Sequence, residues 1–382
     1  LRHLCCGAPG PRQGNRELPG TREASGGRKR RKCGEGAEST VKGIHRDRVT
    51  EWFSAHIEGV TPPLEFQLIA GGHSNLTYKL TDAAGKLYVL RRPPLGAVLA
   101  TAHDMAREHR IVSAIGKTEV PVPPALGLCE DEEVNDAPFY VMDYVEGHVL
   151  LDGASTEKLF REEERYRIGD SVIQVLADLH RVDPDEIGLG DLGRKEAYLA
   201  RQLKRWRTQW DKSKTRELAA MEEVHEALLA RMPEQIGAGV VHGDYRLGNM
   251  LIGRDAKMAA LLDWELCTLG DPMADVGYVM NNWDQPGEGA ATMRGAALAP
   301  TMAGGFPARE VFLERYVELT GRDVSQVDYY RAFQYWRLAA IVEGVLSRYL
   351  KGVMGSAADT DAFRWQVDSL AEEALTFIRR LD

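Results

Sequence analysis

The chain has 382 residues, 44% of them hydrophobic and 27% charged, the composition of a globular protein with room for one large two-lobed domain or two ordinary ones. A net charge of −9 argues against a general nucleic-acid binder, and no apolar run approaches the length needed to span a membrane. The five cysteines are scattered, with neither zinc spacing nor a disulfide framework, which suits a reducing cytoplasm.

Residues 1–40 hold eight Gly and three Pro, carry a net +5 and include the run Arg28-Lys29-Arg30-Arg31-Lys32. The run can be read as a nuclear signal or an anionic-surface contact. The composition points rather to a disordered basic tail over 1–43, and the missing initial Met to an over-long reading frame. No apolar core follows the first Arg as a secretory signal would require. From Ile44 the pattern changes. Val49, Trp52, Phe53, Ile57 and Val60 recur at helical spacing, and Pro62-Pro63 ends that helix. Leu64 to Leu90 reads as strand, turn, strand, with Gly71-Gly72-His73-Ser74-Asn75 as the first turn and Asp82-Ala83-Ala84-Gly85 as the second. By itself the glycine turn is an ordinary hairpin turn, although adjacent glycines let backbone N–H groups approach phosphates. In the strand Leu87 to Arg92, Val89 and Arg91 face one way and Arg92 the other, as a surface charge.

The pattern predicts a helix over Thr101 to Ile115, with Met105, Glu108, Val112 and Ile115 on one stripe. A carboxylate on an apolar stripe needs a cationic partner, and Arg91 is the natural candidate. Val120 to Pro124 is an extended connector, and Phe139 to Val145 an apolar strand. Beyond it the chain turns helical. Tyr166 to His180 carries Val172, Ile173, Leu176 and Leu179 on one face, with His180 read as structural, and residues 191–233 form an amphipathic helical stretch.

The densest chemistry lies in Val240 to Glu265. Asp244 and Asn249 have the spacing D-x-x-x-x-N of a kinase catalytic loop, where the Asp takes the acceptor hydroxyl's proton and the Asn binds magnesium. Met250 to Ile252 and Met258 to Leu262 predict a β-hairpin turning at Gly253 to Lys257. Position 256 is midway between Asn249 and Asp263, so antiparallel pairing predicts that these two side chains meet as an all-oxygen magnesium site. Gly270-Asp271-Pro272 then predicts a helix start, with the helix running through Asp275 to about Met280. Gly287 to Gly305 is a small-residue loop, and three helices, near 308–320, 328–350 and 359–380, finish the chain. In the middle one, Arg337 and Glu343 are open to reading as acceptor contacts, surface charges or ion-pair partners.

His242-Gly243-Asp244 through Asn249, followed by Leu261-Leu262-Asp263-Trp264-Glu265, resembles the aminoglycoside phosphotransferase and choline kinase superfamily over about residues 44–380. Val89-Leu90-Arg91-Arg92-Pro93-Pro94, Ala102-His103-Asp104-Met105-Ala106-Arg107-Glu108 and Gly270 to Tyr278 resemble most the branch similar to kinase domains fused to acyl-CoA dehydrogenases. The resemblance implies an α+β, bilobal, protein-kinase-like fold: a small antiparallel-sheet lobe over 44–143 with one key helix, and a larger, mostly helical lobe over 144–382. It implies an ATP- and Mg²⁺-dependent transfer of the γ-phosphoryl group to a small-molecule hydroxyl, with a hydroxyacyl, aminoglycoside-like or choline-like acceptor. Asp244 would be catalytic, and Asn249 and Asp263 would bind the metal. Nucleotide contacts would come from Gly71, Gly72, Ser74 and Asn75, from Val89, and from Arg91 oriented by Glu108. The hinge backbone at Asp143, Tyr144 and Val145 would face the adenine. Asp275 would brace the catalytic loop. Two departures stand out: Arg91 replaces the usual kinase Lys, which motivates a nucleotide-binding pseudokinase as the alternative, and no long activation segment follows Asp263, which argues against a protein kinase.

Overall fold

The computed structural model of the chain describes residues 41–70, 75–95, 104–288, 299–352 and 359–381. Helix α1 (Arg46–His56) precedes β1 (Glu65–Ala70), β2 (Leu76–Thr81) and β3 (Leu87–Arg92). Helix α2 (Met105–Ile115), β4 (Ala125–Cys129), α3 (Glu132–Asn135) and β5 (Phe139–Asp143) follow. The strands form one antiparallel sheet in the order β1-β2-β3-β5-β4. Alternation along β3 divides its side chains. Tyr88 and Leu90 join Val49, Trp52 and Phe53 of α1 in one core, while Val89 joins Met105 of α2 and Tyr140 and Met142 of β5 in another. Helix α2 begins directly after Asp104, whose side chain caps it by accepting from Arg107 N, and residues 101–103 of the expected helix lie outside the described residues.

Arg92 corrects the expectation of a surface charge. It shares the α1 face of β3, is buried, and its guanidinium donates to the carbonyls of Gly43 and, at 3.1 Å, Asn135. The alternation was right. The face it points to is covered by the segment leading into α1.

The second part contains α4 (Gly153–Leu159), α5 (Glu162–Arg181), α6 (Tyr198–Ser213), α7 (Ala219–Ala230), β6 (Gly239–Val241), β7 (Met250–Ile252) and β8 (Met258–Leu261). It ends with β9 (Thr268–Gly270), α8 (Met273–Asn281), α9 (Arg309–Thr320), α10 (Val327–Leu350) and α11 (Thr360–Arg379). Instead of one helical stretch over 191–233 there are two helices, and residues 191–197 are not helical. Helix α10 has buried residues on every side, among them Phe333, Trp336, Ala340 and Leu346, because α6, α7, α8 and α11 all pack on it. The pairs β6–β9 and β7–β8 form two separate two-stranded sheets. The predicted loop over Gly287 to Gly305 lies partly outside the described residues, at 289–298. No helix among the described residues is long and apolar enough to cross a membrane.

Candidate active site

The site is built on the loop between β6 and β7. Asp275, one turn into α8, accepts from the backbone N–H groups of His242 (2.6 Å) and Gly243 (2.8 Å), so the loop is pinned by a carboxylate. Gly243 has φ +84, and a Cβ there would lie 2.8 Å from the Leu266 carbonyl oxygen, so no other residue fits at this point. The His242 ring accepts from Asp244 N at Nδ1 (3.2 Å), which puts its proton on Nε2, 3.1 Å from Leu262 O. One imidazole thereby ties the catalytic loop to the end of β8.

Asp244 is buried and engaged on both oxygens. Oδ1 accepts from Tyr278 Oη at 2.5 Å and Arg246 Nε at 3.2 Å, and Oδ2 accepts from Asn249 Nδ2 at 2.7 Å. Burial alone would raise this carboxyl, but Arg246 and the Tyr278 and Asn249 hydrogen bonds outweigh it and hold it below the usual range. Asp244 also lines a small cavity of about 20 Å³ with Leu266, Tyr278, Gln334, Arg337, Leu338 and Ile341. Oδ2, with one donor, keeps acceptor capacity for a further hydroxyl.

The hairpin register departs from the prediction. Met250 pairs with Leu261, and Leu262 N donates to Asn249 O at 2.8 Å, so Asn249 stands opposite Leu262. A bulge between Leu251 and Ile252 shifts the ladder by one residue. Asp263 follows in the left-handed region at φ 71, a conformation that Asp tolerates better than most residues. Its Oδ1 accepts from Arg91 Nη2 at 2.6 Å rather than meeting Asn249 across the strands. Among the described residues no hydrogen bond engages Asn249 Oδ1 or Asp263 Oδ2.

Arg91 lies between carboxylates. Its Nε is 2.9 Å from Glu108 Oε2, and Nη2 lies 2.6 Å from Asp263 and 3.9 Å from Glu265. Burial disfavours the cation, but Glu108 and Asp263 outweigh it and raise the guanidinium's pKa. Burial pushes Glu108 upward, yet a guanidinium keeps its proton in proteins, and at this distance the pair is ionised. Two further donors complete Glu108: Asn75 Nδ2 at 2.9 Å and Tyr140 Oη at 3.0 Å. Asn75 therefore positions Glu108. Gly71, Gly72 and Ser74 lie outside the described residues. Burial, and then the charge of Asp263, raise Glu265 to about 7. The oxygens of Asp263 and Asn249 that no hydrogen bond engages are hard donors of the kind Mg²⁺ takes, but among the described residues no group of three or more His, Cys, Asp or Glu is placed to hold a metal ion.

Above Arg91, Val89 forms an apolar pad with Met105, Tyr140 and Met142, and Tyr144 packs against it. Asp143, which pairs with Tyr88, closes β5, and Tyr144 and Val145 follow it, half-buried. Arg337 is buried, donates to Gly243 O at 3.0 Å and to Gln334 Oε1 at 2.7 Å, and so belongs to the catalytic-loop surroundings. Glu343 instead accepts from Thr215 and Arg216, away from the site. Sequence reading missed Tyr278, Arg246 and Tyr140. Tyr278 had a signal, since it lies one turn beyond Asp275 on the same helical face.

The sequence pattern of the phosphotransferase enzyme family matches residues 65–311, a span that holds Arg91, Glu108, Asp244, Asn249, Asp263 and Asp275 but not Arg337. The chain belongs to the phosphotransferase enzyme family. The phosphotransferase is 35% identical over 319 residues to acyl-CoA dehydrogenase family member 10 of Mus musculus, covering 83% of this chain and 29% of that one. It is 31% identical over 322 residues to acyl-CoA dehydrogenase family member 11 of Gallus gallus, covering 83% and 41%. It therefore spans less than half the length of these relatives. A crystal structure of a Ralstonia eutropha protein, provisionally assigned as an aminoglycoside phosphotransferase, matches it with TM-score 0.74 at 33% identity, over 87% of this chain and 98% of that one. An aminoglycoside phosphotransferase in ternary complex with AMP-PNP and hygromycin B shares the fold, with TM-score 0.56 at 17% identity over 87% and 98%.

Proposed function

We propose that this phosphotransferase moves the γ-phosphoryl group of ATP to a hydroxyl of a small molecule. The observation that supports the reading is that the Asp244–Asn249 pair and the Arg91–Asp263 contact lie close enough for Asp263 to act on Arg246 and Asp244 on Glu265. Asn249 and Asp263 would hold Mg²⁺, which supplies charge neutralisation for the phosphates when bound. Val89 and the strand end at Asp143, Tyr144 and Val145 would form the adenine side. Arg91, fixed by Glu108, offers a forked cation to phosphate oxygens where a Lys would offer a point charge. Asp244 orients the acceptor hydroxyl. The acceptor's O–P bond forms as the bond to ADP breaks, ADP leaves with the electron pair, and the hydroxyl proton passes to Asp244. A carboxylate held at low pKa is a weak base, which suits a loose transition state in which the proton leaves late. Catalysis is thus mainly positioning and electrostatics.

The relatives named acyl-CoA dehydrogenase family members favour a hydroxyacyl acceptor over an aminoglycoside-like or choline-like one. The test is phosphate transfer from ATP-Mg²⁺ across aminoglycosides, choline and hydroxyacyl-CoA compounds. Turnover on one class is expected, with Asp244→Asn lowering kcat by roughly 10²–10⁴-fold. ATP binding without turnover on any of them would favour the pseudokinase.

A further inference from the structure

Helix α6 carries five basic residues and one acidic one in an otherwise acidic chain. Arg207 is paired with Asp211 and Glu222. Arg201, Lys204, Arg205 and Lys212 have no carboxylate partner among the described residues, and with Thr208 and Gln209 they line one open groove of about 480 Å³. Their spacing places them along one helical face about 16 Å long. Arg201 donates through Nη2 to Arg194 O at 2.6 Å, while its Nη1 is buried with no hydrogen-bond partner. A buried guanidinium N–H without an acceptor costs free energy and marks a position where an anionic oxygen would be favourable.

The groove joins the reaction centre through stacked groups. The Arg205 guanidinium lies 5.2 Å from the centre of the Trp206 ring. On the same ring, at 5.5 Å, lies Arg337, which also faces Tyr278 at 5.9 Å and holds Gly243 O. Tyr278 in turn donates to Asp244. Although the Arg205 side chain is exposed, the protein atoms crowding it, and then the Arg337 charge, hold its pKa below the ordinary value, and the two like charges face each other across Trp206. An anion between or beside them would relieve that repulsion. A merely solvated helix face would not show this convergence of Arg205 and Arg337 on one ring.

We propose that this groove docks a phosphate or pyrophosphate group carried by the hydroxyl acceptor, through Arg201, Lys204, Arg205 and Lys212, while the acceptor's hydroxyl reaches Asp244. The proposal rests on the phosphoryl-transfer reading of the cleft and adds the sign and place of the acceptor's charge. Cationic acceptors would be repelled here.

The test has two arms, both on the full chain. In the first, inorganic pyrophosphate is titrated calorimetrically into the wild type, Arg201→Gln/Arg205→Gln, Lys204→Gln/Lys212→Gln and Arg91→Gln. Both lysines are exposed, so their pair keeps the fold intact. Affinity at the groove should fall roughly tenfold or more in the groove variants, the loss of one charge-assisted hydrogen bond, while Arg91→Gln removes only the pyrophosphate held in the nucleotide cleft. Loss only in Arg91→Gln would place the anion in the nucleotide cleft and overturn the proposal. In the second arm, hydroxyl compounds bearing a phosphate are compared with their dephosphorylated forms as acceptors of ATP's phosphoryl group. The groove variants should raise KM for the phosphorylated acceptor with kcat and the KM for ATP unchanged. Equal effects on both acceptor forms would overturn the proposal. Absence of transfer to every acceptor would count against the phosphoryl-transfer reading, while the pyrophosphate arm still decides whether the groove binds anions.

Discussion

The guanidinium of Arg91 faces three carboxylates from two segments: Glu108 on α2, and Asp263 and Glu265 after β8. Its fork is what allows this, since an ammonium has no fixed directions with which to span Glu108 and Asp263 together. The residue that departs from the kinase pattern is thus the one this site is built round. Arg91→Gln leaves Glu108 as a buried charge without its cation and should cost about 3–5 kcal/mol in urea unfolding. Arg91→Lys should recover a large part of that stability. A loss for Arg91→Gln below about 1 kcal/mol would mean that Glu108 is not ionised in the folded protein. The pairing of Arg91 with Glu108 was readable because a lone carboxylate on an apolar helical stripe and a lone cation on an inward strand face each need a partner. Tyr140 and Tyr278 were not readable in the same way. Tyrosine is an ordinary core residue, and which hydroxyl finds a carboxylate depends on packing between elements distant in sequence.

At the scale of elements, α5, α8 and α9 meet at His180. Its ring lies 2.8 Å from Tyr316 Oη and 3.5 Å from Asp275, the carboxylate that pins the catalytic loop. Burial lowers its pKa despite Asp275. A group with a depressed folded pKa contributes stability above its unfolded value, and that stability is lost as pH falls. Below about pH 6.5 the unfolded chain takes up a proton that the native His180 refuses, so stability should decline, by at most about 1.4 kcal/mol per pH unit. Urea midpoints between pH 7.5 and 5.5 should show this slope, and His180→Gln should flatten it; an unchanged slope in the variant would assign the decline to other groups. The elements themselves were legible wherever periodicity was long: α1, α2, α5 and α9 to α11 stand close to their predicted spans. The three-residue strands β6 and β9 were not, because they exist only through pairing with each other across most of the loop and hairpin. The β7–β8 register slipped by one because a bulge leaves no local signature in the sequence.

For the whole molecule, the sheet and the helical part are sewn together at the cleft. Leu261 N donates to Pro121 O at 2.8 Å, His148 bridges Ile252, and Arg107 Nη2 donates to Cys267 O at 2.6 Å. A nucleotide held by both parts stabilises the folded state by mass action. AMP-PNP with Mg²⁺ at a hundred times its Kd should add about 2.7 kcal/mol and raise Tm by roughly 5 °C. EDTA, or Asn249→Ala with Asp263→Ala, should remove most of that gain; a shift indifferent to EDTA would count against a metal at these residues. The motif predicted that Asp244, Asn249 and Asp263 share one mouth; in the structure Asp244 and Asn249 pair, while Asp263 turns to Arg91. The buried place of Arg337 was not legible, since α10 is apolar all round and its sequence marks no special face. The Arg107 contact carries a consequence for control in the cell. Where protein kinases swing their sheet-side helix into place only after a covalent signal, here α2 is already docked, its carboxylate paired and its flank fastened to the segment after Asp263. Among the described residues the docking of α2 is complete without a phosphate mark, so on the proposed reading the helix would not have to move when substrates bind.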